Sequence, residues 1–244
     1  MLEWLSSYDP YQTHYRMSSN RCEGTGEWFL DGEDFRRWNS NGDETLVAHG
    51  APGCGKSMLT SLIIDHLSRK AGDSYGLAYL YFDHAQPECQ VLEQVASCLI
   101  KQLCLNLGRL PDAVKQLRQT HSTKGTRPSL EELITLLNRR TTPFDQIYLI
   151  LDAIDECEQG QRKRLLTLLK QLNKRRRVGI YLSCRSHLMH SFKDDFAITD
   201  VQIEARPKDL ELSISNALED SDVETPVAFQ QQLKTRLISA ANGM

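Results

Sequence analysis

The chain alternates short apolar runs with longer stretches in which apolar residues recur every three or four positions. The runs fall at residues 45–49, 77–82, 146–151, 178–183 and 198–203 and predict five strands. Met58, Leu59, Leu62, Ile63, His66 and Leu67 share one helical face, and so do Val91, Leu92, Val95, Ala96, Leu99, Ile100 and Leu103, whose helix ends near Gly108. Pro111 opens a further helical stretch. Ser129 and Glu132 form a capping box ahead of Leu133, Ile134, Leu136 and Leu137, which predicts a helix to about Arg140 that stops before Pro143. Helices are also expected over about 160–174 and 227–241, and Pro207 is placed to be the first residue of another. After Gln146 the run to residue 151 is continuously apolar, as expected of a strand buried on both faces. Strands alternating with helices in this way predict an α/β fold with a parallel sheet covered on both sides.

Residues 1–42 break the alternation. They carry all three tryptophans, Trp4, Trp28 and Trp38, among charges and glycines, and read as helical pieces docked on the core and closed by a turn at Asn41-Gly42-Asp43. The 244 residues are enough to bury about 70% of the unfolded surface without a disulfide or metal clip. A composition of 40% hydrophobic and 25% charged residues excludes fibrous, coiled-coil and wholly disordered classes. Lys and Arg total 29 against 32 Asp and Glu, a balance that argues against a dedicated nucleic-acid binder. The seven cysteines (22, 54, 89, 98, 104, 157 and 184) never form C-x-x-C and read as reduced thiols of a cytoplasmic protein. The first residues lack a cationic region leading into an apolar stretch, so no secretory signal is expected. No apolar run approaches the roughly 20 residues of a membrane helix.

The most specific chemistry lies between the first strand and the helix that follows it. Gly50-Ala51-Pro52-Gly53-Cys54-Gly55-Lys56-Ser57 is G-x-x-x-x-G-K-S in the strand-to-helix setting that makes the pattern meaningful. Glycines let the backbone turn N–H groups toward phosphate oxygens, and the helix start adds the positive end of its dipole. The expected nucleotide-binding set is Gly50, Pro52, Gly53, Cys54, Gly55, Lys56, Ser57 and Met58. Lys56 is expected to reach the β- and γ-phosphates and Ser57 to ligate Mg²⁺. The thiol of Cys54 is read as filling a variable loop position rather than as reactive.

The strand at 146–151 runs into Asp152-Ala153-Ile154-Asp155-Glu156. Asp152, at the carboxyl end of a buried strand, is expected to hold Mg²⁺ directly or through water. Asp155 or Glu156, three and four residues on, is expected to orient or deprotonate the attacking water. By itself the segment would read first as an acidic cap on the next helix; paired with the loop motif, it reads as catalytic. After the fourth strand, Arg185 stands at the same sheet edge, either sensing the γ-phosphate or pairing with a nearby carboxylate.

Taken together, these motifs resemble the NACHT family of STAND-class P-loop ATPases, in particular its fungal multidomain members. Besides the loop, the similarity rests on residues 22–30 (CEGTGEWFL), 99–104 (LIKQLC), 151–157 (LDAIDEC) and 183–185 (SCR), and spans nearly the whole chain. The resemblance implies a P-loop NTPase fold, a five-stranded parallel sheet of order 2-3-4-1-5 with helices on both faces. It implies a switch that binds ATP or GTP with Mg²⁺, hydrolyses it slowly and changes oligomeric state, as a homo-oligomer in its full-length setting, in signalling akin to innate immunity or incompatibility. Residues matching the family's stretch near the base give Thr25 and Gly26 a nucleotide-side role. Many relatives have glycine where this chain has Ala153, and the small alanine is expected to leave the metal site intact. The implied organisation is an extension at 1–42, an NTPase core at 43–204 and the start of a helical lid at 205–244, with effector and repeat domains absent and the chain truncated, leaving an exposed end prone to aggregation or dependent on a partner.

Other features carry less. Arg162-Lys163-Arg164 and Lys174-Arg175-Arg176-Arg177 flank an apolar helix face and read as dipole-favouring cations rather than an import signal or nucleic-acid patch. His187 and His190 have metal-pair spacing without a third ligand. His66 reads as a satisfied core or boundary histidine. A small-molecule phosphotransferase would need an acceptor pocket and an arginine-bearing lid that the sequence does not display, and a degenerate, non-switching scaffold sits poorly with an intact loop and Asp152. Without an N-K-x-D motif, ATP is favoured over GTP.

Overall fold

The computed structural model describes residues 2–41, 44–70, 74–138, 144–174, 177–189, 192, 198–219 and 227–241. Strands β1 (Thr45–His49), β2 (Tyr75–Tyr81), β3 (Gln146–Asp152), β4 (Val178–Cys184) and β5 (Ile198–Gln202) form one parallel sheet in the order β2-β3-β4-β1-β5. This is the order that the family resemblance implies. The described helices are α1 (Pro10–Ser19), α2 (Glu27–Leu30), α3 (Glu33–Asn41), α4 (Lys56–Ser68), α5 (Leu92–Asn106), α6 (Asp112–Lys124), α7 (Leu130–Asn138), α8 (Gln159–Asn173), α9 (Pro207–Glu219) and α10 (Val227–Ala241).

Parallel strands need crossovers, and the crossover helices cover both faces of the sheet. The two-residue period of each strand divides its side chains between two cores. Ala78, Leu80, Leu149, Leu151, Ile180 and Leu182 share one core with Val95 and Leu99 of α5 and Leu165 and Leu169 of α8. Leu46, Ala48, Tyr79, Ile150 and Tyr181 share the other with Ile63, Ile64 and Leu67 of α4.

The N-terminal helices join that second core. Trp38 is 0% exposed, and its indole N–H lies 3.1 Å from the carbonyls of both Glu44 and Ile180, tying α3 to the start of β1 and to β4. Phe29 and Phe35 pack beside it. On α1, His14 bridges the Tyr81 hydroxyl and the Asp65 carboxylate, both at 3.0 Å, and just beyond the helix Arg21 pairs with Asp65 at 2.6 Å.

Local signals are realised closely. The Ser129 backbone N–H donates to Glu132 Oε2 at 2.8 Å and the Glu132 N–H donates to Ser129 Oγ at 3.3 Å, the reciprocal pair of a capping box. Pro207 opens α9. Two basic residues of α8 have local partners: Arg162 donates to the carbonyls of Asp155 and Cys157, and Arg164 lies 3.8 Å from Glu93.

His66 departs from expectation. Its ring meets Phe35 edge-on, but its buried Nε2 has no hydrogen-bond partner. Burial and the nearby Lys70 and Arg69 hold its pKa below the ordinary imidazole value. The expected turn at Gly42-Asp43, the helix stop before Pro143, Arg175-Arg176, His190 and Gly243-Met244 lie outside the described residues. Among the described residues no helix is long and apolar enough to cross a membrane, the described cysteines are free thiols, and no cluster of three or more His, Cys, Asp or Glu side chains is arranged for a metal.

Candidate functional site

The carboxyl ends of β1, β3 and β4 bring the motif residues to one edge of the sheet. β1 delivers the chain to Gly50, whose backbone runs so close to the Ile203 carbonyl and the Cys54 thiol that a Cβ would collide with both. Gly55, with φ of 95°, ends the loop in the left-handed conformation and serves as N-cap of α4. The Lys56 ammonium sits at the loop's centre, donating to the carbonyls of Gly50 at 3.0 Å and Ala51 at 2.7 Å.

Beneath the loop, Asp152 is 2% exposed and ringed by hydroxyls. Ser57 Oγ donates to its Oδ2 at 2.6 Å, and Thr60 Oγ1 and Ser183 Oγ reach its Oδ1 at 2.6 and 2.5 Å. Sequence reading singled out Ser57 and Asp152 but missed Thr60 and Ser183. Thr60 lies one turn beyond the loop motif on α4, and Ser183 belongs to another strand, so only the folded register brings them to Asp152. The set suits a hard cation: a carboxylate and a serine hydroxyl in direct contact offer the oxygen donors Mg²⁺ prefers.

Ala153 follows in the left-handed region, with φ of 53° and ψ of 46°, and its N–H donates to Ser183 Oγ at 2.8 Å. The position calls for a backbone conformation glycine adopts more readily.

The one-turn helix at Ile154–Glu156 places Asp155 against Arg185. Arg185 Nε lies 3.0 Å from Asp155 Oδ2, the Arg185 backbone N–H donates to Oδ1 at 3.2 Å, and the Asp155 side chain is 7% exposed. Of the two roles weighed for Arg185, pairing with a carboxylate is the contact it makes, at the edge where the loop lies. Glu156 stays more open, 3.8 Å from His84. Burial pushes the adjoining Cys184 thiol up to about 12, keeping it protonated and unreactive.

Two cavities flank the loop. One, of about 630 Å³, runs from Gly50–Cys54 past Arg185 and Ser186 to Gln202 and Glu204. The other, of about 170 Å³, lies between the N-terminal segment, Gly53–Leu59 and the start of α9, and Thr25, Gly26 and Met58 line it. Trp28, Arg206 and Asp209, which sequence reading missed, complete its wall. Thus the loop residues, Met58, Thr25 and Gly26 converge, while Asp155 and Glu156 stand beside them on the β3 side.

No curated protein matches this chain. Among solved structures it is similar to the Drosophila ORC bound to DNA, at 12% identity and a TM-score of 0.51, over 86% of this chain and 50% of that one. It is also similar to AMPPCP-bound DnaA from Aquifex aeolicus, at 15% identity and a TM-score of 0.48, over 91% of this chain and 61% of that one. The chain therefore spans between half and about three fifths of these structures. The sheet order together with the likeness to the ORC structure establishes the P-loop NTPase fold. The family model described as Nephrocystin 3, N-terminal matches residues 24–186, more than half of the sequence and the whole of the loop, acidic and Arg185 motifs. The chain belongs to that family, as a NACHT-type P-loop NTPase.

Proposed function

We propose that this chain is the nucleotide-binding module of a signalling switch, which binds ATP with Mg²⁺, hydrolyses it slowly and controls assembly in the manner of fungal NACHT proteins. The observation that carries the reading is the direct contact of Ser57 and Asp152 beneath the Gly50–Ser57 loop. In this role the loop N–H groups and the start of α4 bind the phosphates, and Lys56 exchanges the carbonyls of Gly50 and Ala51 for phosphate oxygens. Ser57 and Asp152 are the residues that would hold Mg²⁺, with Thr60 and Ser183 fixing the carboxylate. The cation would neutralise phosphate charge. Thr25, Gly26 and Met58 line the cavity assigned to the base side.

Asp155 holds the hydrolytic water and Arg185 answers the γ-phosphate. Because they pair with each other, an arriving γ-phosphate competes with Asp155 for the guanidinium, and release of Asp155 frees its carboxylate to act as base. Glu156 is the more exposed carboxylate at the same turn. The preference for ATP over GTP and the coupling to oligomerisation rest on the sequence motifs and the family resemblance.

Titration with ATP and Mg²⁺ tests the reading. Lys56→Ala should lower affinity by about 10- to 100-fold, since hydrogen bonds to charged groups contribute about 1.5–3 kcal/mol. Asp155→Asn should keep binding and slow phosphate release. Unchanged affinity in the lysine variant would contradict the assignment.

A further inference from the structure

Opposite the loop, residues 22–28 and α9 are joined by a set of polar contacts. The Asp209 carboxylate accepts the Trp28 indole N–H at 2.9 Å and the Gly26 backbone N–H at 3.2 Å. The Arg206 guanidinium lies over the Trp28 ring, 3.6 Å from its centre. About two turns further along α9, the Asn216 amide donates to Cys22 Sγ at 3.0 Å. These contacts join segments about 180 residues apart in sequence.

No residue of α9 is fully buried. Its attachment to the N-terminal segment therefore lacks a buried apolar core and combines these polar and cation–π contacts with half-buried Leu210 and Leu212, an arrangement that opens without exposing a core. Gly26, Trp28, Arg206 and Asp209 also line the smaller cavity with Gly55 and Met58. Lifting α9 would unroof that cavity while leaving the loop, Asp152 and the sheet untouched.

We propose that Trp28, Arg206 and Asp209 form a latch that sets the rate at which nucleotide enters and leaves the cavity, with α9 as the lid. The proposal rests on the nucleotide reading above. A latch that spans the cavity mouth slows passage in both directions, so loosening it accelerates association and dissociation together and changes affinity less than either rate.

Stopped-flow measurements on the full chain with a fluorescent N-methylanthraniloyl ATP and Mg²⁺ test this. Asp209→Ala should raise both rates about tenfold or more, as expected for loss of a charge-assisted hydrogen bond. Trp28→Phe, which keeps a ring under Arg206 but loses the N–H, should move them the same way by less. Asn216→Cys places a second thiol beside Cys22; oxidised with copper phenanthroline, it should slow both rates, and dithiothreitol should restore them, with oxidised wild type as control. The latch is overturned, with the nucleotide reading intact, if wild type binds the analogue, Lys56→Ala binds it about tenfold or more weakly, and both the Asp209→Ala and cross-linked proteins exchange within twofold of wild type. It is equally overturned if Asp209→Ala raises dissociation alone and weakens affinity in proportion, since Asp209 would then be a simple ligand contact. If wild type binds no analogue, the nucleotide reading fails and the latch fails with it.

Discussion

Replacing Ala153 by glycine should stabilise the protein, although it removes a side-chain carbon next to the buried Asp152. The residue holds φ of 53° and ψ of 46°, where an L side chain crowds its own carbonyl at a cost of about 1–2 kcal/mol. Against this, glycine loses more backbone entropy on folding, about 0.5–1 kcal/mol. The difference favours glycine by about 0.5–1 kcal/mol, a rise of about 1–4 °C in Tm for a chain of this size. The hydrogen bond to Ser183 Oγ is donated by the backbone N–H of residue 153 and survives the change. Ala153→Val makes the opposing case: a β-branched side chain in the left-handed region should lower Tm. Urea unfolding and differential scanning calorimetry on all three proteins give the comparison. A glycine variant less stable than wild type, or a valine variant as stable, would refute the argument that backbone strain is stored at this turn.

Other perturbations probe different parts of the account. Trp38→Phe keeps a ring in the core but removes the donor facing the carbonyls of Glu44 and Ile180, and should cost about 1–3 kcal/mol in urea unfolding; no loss would contradict that bridging role. Stability should also fall on mild acidification. Burial, partly offset by Asp65, holds the His14 pKa below 6.5, with Arg21 lowering it further and the Tyr81 hydroxyl at its other nitrogen, and burial does the same for His66 beside Lys70 and Arg69. The unfolded imidazoles take up protons first, so this contribution is complete above their ordinary pKa of 6.5 and is lost as pH drops through the depressed folded values. The urea midpoint should decline between pH 7.5 and 5.0 and decline less in His14→Asn; a flat wild-type profile would contradict this. Arg185→Ala should leave ATP affinity within a few-fold of wild type but slow hydrolysis, read as phosphate release under single turnover.

Much of the fold was legible because the sheet is buried on both faces. Runs such as 146–151 and 178–183 have no polar side to confuse with a helix, and the loop motif fixes which strand precedes α4. The site was legible where its chemistry is contiguous in sequence: Gly50 to Ser57 on one loop and Asp152 to Glu156 on one turn. It was hidden where the contacts cross the sheet or the chain. Thr60 and Ser183 reach Asp152 only through the packing of α4 and β4 against β3, and no local pattern distinguishes them from any hydroxyl in a helix or strand. Asp209 meets Trp28 across 181 residues, a pairing that neither periodicity nor spacing encodes. The tryptophans of the extension signalled docking, yet only the structure shows Trp38 spanning Glu44 and Ile180. Ala153 was judged by side-chain volume because a sequence does not display φ.

The central claim is that the Gly50–Ser57 loop and the Ser57–Asp152 pair hold a Mg²⁺-bound nucleoside triphosphate. Isothermal titration of ATP into wild type and Asp152→Asn, with and without Mg²⁺, tests it most directly. The account predicts saturable binding by wild type that strengthens with Mg²⁺, and binding by Asp152→Asn that has lost most of that dependence. Absence of saturable binding, or equal sensitivity to Mg²⁺ in the two proteins, would contradict it.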